Sequence, residues 1–231
     1  MVYNFQWQWV LAEQHFKRAL ALTPNDPEVH YQYADWLAAL GRLEEALASA
    51  SKAVELDPLV PIFLHGKANN LQRLGHHEES IPVRQAAYAL APEIRLFRSL
   101  LIRNYFQTDR LDEAEKLMDQ TRAAALDSAK RDGVVGDPQR IPRAAIRLKR
   151  TPGLAETIRK ELGDEDFNAV QHWFGDIEAR LKNIDESMDA HLNGVDPVAE
   201  LRSVRYADYR KDPRYIRLLN KAGFDDEGNI R

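Results

Sequence analysis

The sequence repeats itself at an interval of 34 residues. Displaced by that interval, it brings Pro24, Pro58 and Pro92 into register, together with Leu22, Leu56 and Leu90 and with Ala19, Ala53 and Ala87. Gly41 and Gly75 coincide, with Asp109 third in the series. Ala12, Ala46, Ser80 and Ala114 coincide, as do Leu37, Leu71 and Tyr105. The acidic pairs Glu44 and Glu45, Glu78 and Glu79, and Asp112 and Glu113 fall together as well. A fixed period of this length means tandem copies of one supersecondary unit, each of which buries its apolar face only against its neighbours.

Each unit reads as two helices of roughly a dozen residues. Gly41 and Gly75 stand just past the first helix, where a left-handed cap favours glycine. Asp109 takes that place in the third unit, because Asp enters the left-handed region more readily than most residues. The acidic pair opens the second helix, at its positive end. Pro58 and Pro92 end the second helix, which a proline cannot continue. Small residues mark the points of close approach, Ala34 and Ala68 on first helices and Ala46 and Ala53 on a second, while Leu37, Leu40, Leu43 and Leu47 fill the space around them.

This pattern is identified as that of the tetratricopeptide repeat. The signature's usual Trp is replaced by His30 and Leu64, and the small residue at its eighth position is Ala34, then Ala68. Three complete repeats are expected at 27–60, 61–94 and 95–127; the third has Leu126 where the terminal proline would stand. The fold class expected is all-α, a superhelical solenoid of helix pairs with a helical C-terminal extension. The expected division is 1–127 for the array and 128–231 for the extension.

Ahead of the first complete repeat, "LAEQHFKRALALTP" reads as a second helix without its first. Its apolar face, around Phe16 and Leu20, is left partly uncovered. Either the chain is a piece of a longer protein or a second copy covers that face as a homodimer. After 127 the regularity fades. "IPRAAIRLKR" reads as a short helix, and "TPGLAETIRKELG" as another with Thr151 as its N-cap and Gly163 as its end. "DEDFNAVQHWFGDIEARLKN" reads as one long amphipathic helix, paired with "IDESMDAHLNG" as a decayed repeat. A last helix, at about 213–221, is expected to cap the array.

Beyond the repeat itself, residues 5–61 resemble the repeat region of bacterial multidomain signalling proteins, in which such repeats follow a class III adenylate/guanylate cyclase domain or a winged-helix regulator domain. "RKDPRYIRLLNKAGF" is similar to the short ending of the same proteins. The resemblance implies a regulatory or sensory module rather than an activity. Groove-facing positions of the repeat, carried onto this sequence, are Tyr31, Asp35, Ala38 and Ala39, then His65, Asn69, Gln72 and Arg73, then Ser99, Arg103, Phe106 and Gln107. They suit an extended peptide, with Arg73 or Arg103 taking a carboxylate. Tyr31 and Asp35 stand where the chaperone-type clamp has Lys and Asn, which argues against that ligand class.

The function expected is therefore a non-catalytic protein–protein interaction scaffold with a protein or peptide partner. The alternatives are a self-association module and a small-ligand sensor with a pocket near Trp173 and Phe174. Arg140, Arg143, Arg147 and Arg150 share one helical face, and Arg210, Arg214, Arg217 and Lys221 form a second stripe. Both are read as solvated faces paired within the chain rather than as nucleic-acid sites. His76 and His77 are read as an exposed turn, and the acids of "GDEDF" as a helix start, not as metal ligands. No catalytic motif, cofactor loop or metal motif is present. With no cysteine among 231 residues, thiol chemistry is excluded. The net charge of −4 gives no general bias toward nucleic acid or a membrane surface. The N-terminus lacks the form of a signal peptide and no apolar run spans a bilayer, so a cytoplasmic location is expected, or a periplasmic one for part of an anchored regulator.

Overall fold

A computed structural model describes residues 9–131, 136–174, 181–182, 184–185, 188 and 196–230. The described residues form α-helices and short 3-10 turns, with a lone backbone bridge between Phe224 and Ile230 in place of any strand. The helices are α1 (Trp9–Leu22), α2 (Pro27–Ala39), α3 (Leu43–Leu56), α4 (Pro61–Arg73), α5 (His77–Leu90), α6 (Arg95–Gln107), α7 (Leu111–Arg131), α8 (Arg140–Arg150), α9 (Ala155–Leu162), α10 (Asp164–Gln171), α11 (Asp196–Leu201) and α12 (Pro213–Lys221). The fold is all-α, and α2 to α7 are the three helix pairs of the tetratricopeptide type.

The punctuation of the sequence explains the boundaries. Gly41, Gly75 and Asp109 have φ of +77°, +84° and +59°. The same paired bonds close each first helix: Arg42 N–H donates to the Leu37 carbonyl, His76 to Leu71 and Arg110 to Tyr105. The acceptors are the three residues that the period aligns. Asp26 caps α2 by accepting from the Glu28 and Val29 amides, and Pro27 and Pro61 open α2 and α4. The second helices α3 and α5 stop two residues before Pro58 and Pro92. With no proline at its end, α7 runs on to Arg131.

Two compact units group the chain in space: residues 1–87 with 181–231, and residues 88–180. The grouping follows a different line from the sequence division at 127. In the first unit, α3 packs on α2 and α4 on α3. Ala34, Ala46, Ala50, Ala53 and Ala68 are buried where these helices meet. Ser49 donates to the His30 carbonyl at 2.9 Å, tying α3 to α2. The C-terminal segment completes this unit. Trp9 is buried against Phe224, its ring centroid at 5.3 Å, and its Nε1 donates to the Ala222 carbonyl at 2.7 Å. Helix α11 packs on α2, and Arg202 donates to the carbonyls of Leu40 and Gly228.

In the second unit, α6 packs on α7, and α8 reaches α6 and α10. The arginine stripe of α8 pairs within the unit. Arg140 meets Asp166, Arg143 meets Asp119, Arg147 meets Glu161, and Arg150 meets Asp112 and Glu115. Two local readings need correction. Thr151 makes no capping bond and precedes a 3-10 turn, Pro152–Leu154, before α9 begins. The helix expected to run through 164–183 leaves α geometry after Gln171 for a 3-10 turn, His172–Phe174, which brings Trp173 and Phe174 onto Phe106. Residues 175–180, and most of "IDESMDAHLNG", lie outside the described residues. Among the described residues no helix is long and apolar enough to cross a membrane.

Candidate functional site

The groove positions divide between the two units. In the first, α2 and α4 bring Asp35 and Arg73 together at 4.0 Å. Arg73 is 5% exposed and also donates to the Asn70 side chain at 3.3 Å. Tyr31, Asp35, His65 and Asn69 are half-buried. Asn69 sits 3.0 Å from the His65 ring and accepts from Arg84 at 2.9 Å. Arg84 donates to Gln72 as well and is 2% exposed. Tyr31 rests on Phe63, ring centroids 5.6 Å apart, and lies so close to Gly66 that a Cβ there would stand 2.7 Å from the ring. The face is thus a knit network of polar groups. Its side chains are already held in one arrangement, which lowers the cost of ordering them around a partner.

Ala38 and Ala39, expected to line the groove, do not. With α3 and α11 both packed on α2, neither has exposed surface. Part of the first repeat's open face is therefore covered by the chain's own C-terminal segment.

In the second unit, Arg103 lies over the Trp173 ring at 5.7 Å, and Phe106 is 2% exposed. Phe106 meets Trp173 and Phe174 edge-on, with centroids at 5.2 and 5.3 Å, and carries Lys149 Nζ over its ring at 4.5 Å. Lys149 also pairs with Asp109 at 2.7 Å. Phe106 is thus a core residue of this unit rather than an open contact. Ser99 is exposed and borders a cavity of about 440 Å³.

On α1, Phe16 and Leu20 are half-buried. The Phe16 ring meets Tyr33 and Trp36 of α2 at 5.6 and 5.9 Å. His76 faces Glu79 at 2.7 Å, an ordinary pair at a helix start, and Asp166 of "GDEDF" is engaged by Arg140. Of the second stripe, Arg214 meets Asp212, while Arg217 and Lys221 share Asp185. Arg84 and Lys149 shape the site from outside the repeat positions, as does Trp173, which the sequence marks only as a neighbour of a possible small-ligand pocket. Arg84 leaves a signal, a lone cation in the otherwise uncharged run "SIPVRQAAYALA".

The chain is 24% identical over 167 residues to the Hsp70-Hsp90 organizing protein of Triticum aestivum, covering 67% of this chain and 29% of that protein. It therefore spans less than a third of that relative's length. The solved "Structure of Naa15/Naa10 bound to HypK-THB" aligns with a TM-score of 0.44 at 16% identity, over 95% of this chain and 36% of that one. At that score the alignment adds nothing to the fold already described. Residues 8–63 match the family model of the tetratricopeptide repeat.

Proposed function

We propose that this chain is a non-catalytic protein–protein interaction scaffold whose partner segment docks on the first-helix face of α2 and α4. The observation that carries the reading is the convergence of Asp35 and Arg73 from separate helices, beside half-buried Tyr31, His65 and Asn69. Such a face offers donors, acceptors and an aromatic ring to an extended peptide. The similarity to a protein named as an organizer of two others is in keeping with it. The finer reading, a regulatory module of a bacterial signalling protein, rests on the resemblance of residues 5–61 and 210–224. Peptides selected from a random display library on the full chain test the docking face. Tyr31→Ala and Asn69→Ala should weaken the recovered peptide about tenfold or more while leaving the chain folded. Binding unchanged in both variants removes the face from the reading.

A second reading, self-association through α1, is favoured by Val10 and Leu22, which are 56% and 73% exposed. Sedimentation equilibrium on the wild type and on Leu22→Asp tests it. A concentration-dependent dimer lost in the variant supports the reading, and a monomer at all concentrations ends it.

A further inference from the structure

The second unit holds a largely buried arginine beside a cavity. Arg98, on α6, is 6% exposed and lines the cavity of about 440 Å³ described above. Among the described residues no carboxylate forms an ion pair with its guanidinium, although the Tyr88 hydroxyl acts in favour of its charge. Every arginine of the α8 stripe, by contrast, meets an acid. Arg95 lines the same cavity one turn earlier, at the first position of α6, where the helix N-terminus adds positive potential. Ser99 adds a hydroxyl, and among the described residues the lining contains no acid. Apart from Gln139 the remaining wall is apolar, formed in part by Ile102, Pro142 and the Trp173 ring.

An isolated buried charge is costly unless it is paired. Burial pushes the Arg98 guanidinium below its ordinary value; Tyr88 opposes that shift, and neighbouring Arg95 adds to it. The 34-residue period makes Arg98 the counterpart of His30 and Leu64. Leu64 is buried at its position, as helix packing favours there. A cation in that slot lacks a packing reason.

We propose that this cavity is a binding site for a small organic acid, an anionic head carried on an apolar body. The head meets Arg98 and Arg95, with Ser99 as a further donor, and the body lies along Ile102, Pro142 and Trp173. The volume suits a small molecule, since ligand pockets run from about 300 to 1,000 Å³ with a few polar groups on apolar walls. Guanidinium forks bind carboxylate and phosphate oxygens in the same bidentate way. This site is independent of the docking face on α2 and α4.

Isothermal titration of the full chain with 1-naphthaleneacetate, decanoate and 1-naphthyl phosphate tests the proposal. At least one of them should bind in the micromolar range. The uncharged 1-naphthaleneacetamide should bind about tenfold or more weakly than the matching acid. Arg98→Met should abolish the preference for the acid, whereas Arg147→Met, which removes a paired surface arginine, should leave it intact. Arg98→Met should melt no lower than the wild type, because it removes a largely buried arginine that forms no ion pair with a carboxylate among the described residues. A merely structural arginine would lower the melting temperature and leave acid-over-amide selectivity unmoved. No binding by any of the three acids overturns the proposal. So does equal binding of acid and amide, an equal loss in both variants, or tighter binding of the acetylated peptide Ac-Leu-Trp through its C-terminal carboxylate, which would make the ligand a protein end.

Discussion

Trp9 and Ala222 are 213 positions apart in the chain and share a hydrogen bond of 2.7 Å, with the indole donating. The contact tests how the C-terminal segment is held. Trp9→Phe keeps a ring against Phe224 but leaves the buried Ala222 carbonyl without its donor, which should cost about 1–3 kcal/mol. Trp9→Ala also opens a cavity and should cost about 3–5 kcal/mol. Urea unfolding measures both. Hydrogen exchange should show protection lost over 213–224 in Trp9→Ala and kept across α6 and α7.

Both left-handed positions favour glycine, so substitutions away from it and toward it have opposite signs. Gly41→Ala places a Cβ where φ is +77° and within 2.7 Å of the Arg202 guanidinium. It should destabilise the fold by about 1–2 kcal/mol. Asp109→Gly relieves the same conformation at φ +59° and loses only an exposed pairing with Lys149. It should stabilise by about 0.5 kcal/mol. Thermal denaturation of the two variants checks that the signs differ.

Gly66 lies inside α4, where alanine would ordinarily stabilise by about 0.5–1 kcal/mol. Here a Cβ would meet the Tyr31 ring at 2.7 and 2.9 Å. Gly66→Ala should therefore destabilise the wild type by about 1–2 kcal/mol. In a Tyr31→Ala background the same change should stabilise. A double-mutant cycle by thermal melts reads the reversal of sign. A cycle without it would mean that the ring moves aside freely.

Asp212 caps α12, accepting from the Arg214 amide at 2.8 Å and from its guanidinium at 2.7 Å. The Arg214 side chain first, and then its backbone amide, hold the Asp212 carboxyl at about 2, below the ordinary 3.8. A carboxyl depressed in the folded state contributes stability that is present above its ordinary value and lost as pH falls toward the folded one. Asp212 stability should thus disappear between about pH 4 and pH 2. Acid titration of Asp212→Asn should lack that component, seen as a smaller change in melting temperature across the window.

The local architecture was legible because its causes are local. Gly41, Gly75 and Asp109 declare the left-handed caps, Pro58 and Pro92 declare the helix ends, and the absent third proline accounts for the overrun of α7. What escaped was long-range. Nothing in the residues around Trp9 shows that its partner is Ala222, and nothing in α2 shows that α11 will cover its open face. Phe106 was read as groove-facing from its place in the repeat, yet Trp173 and Phe174, which bury it, come from a turn nearly seventy residues later. Arg98 was overlooked for the opposite reason. The groove positions drew attention to Ser99 and Arg103, while Arg98 sits at the packing position that carries His30 and Leu64 in the earlier repeats.

The first unit is assembled from residues 1–87 and 181–231, with the other unit inserted between them in sequence. Helical arrays ordinarily grow by nearest-neighbour addition, so that each pair consolidates once the next is made. This chain departs from that order. During synthesis Trp9 leaves the ribosome long before Ala222, and the 88–180 unit can fold in the interval. Until residues 196–224 emerge, the N-terminal helices present an unfinished surface, open to chaperones or to a competing segment of another molecule. Completion of the first unit therefore waits for residues 181–231, and its folding rate is set by closure of a very long loop rather than by pairing between adjacent helices.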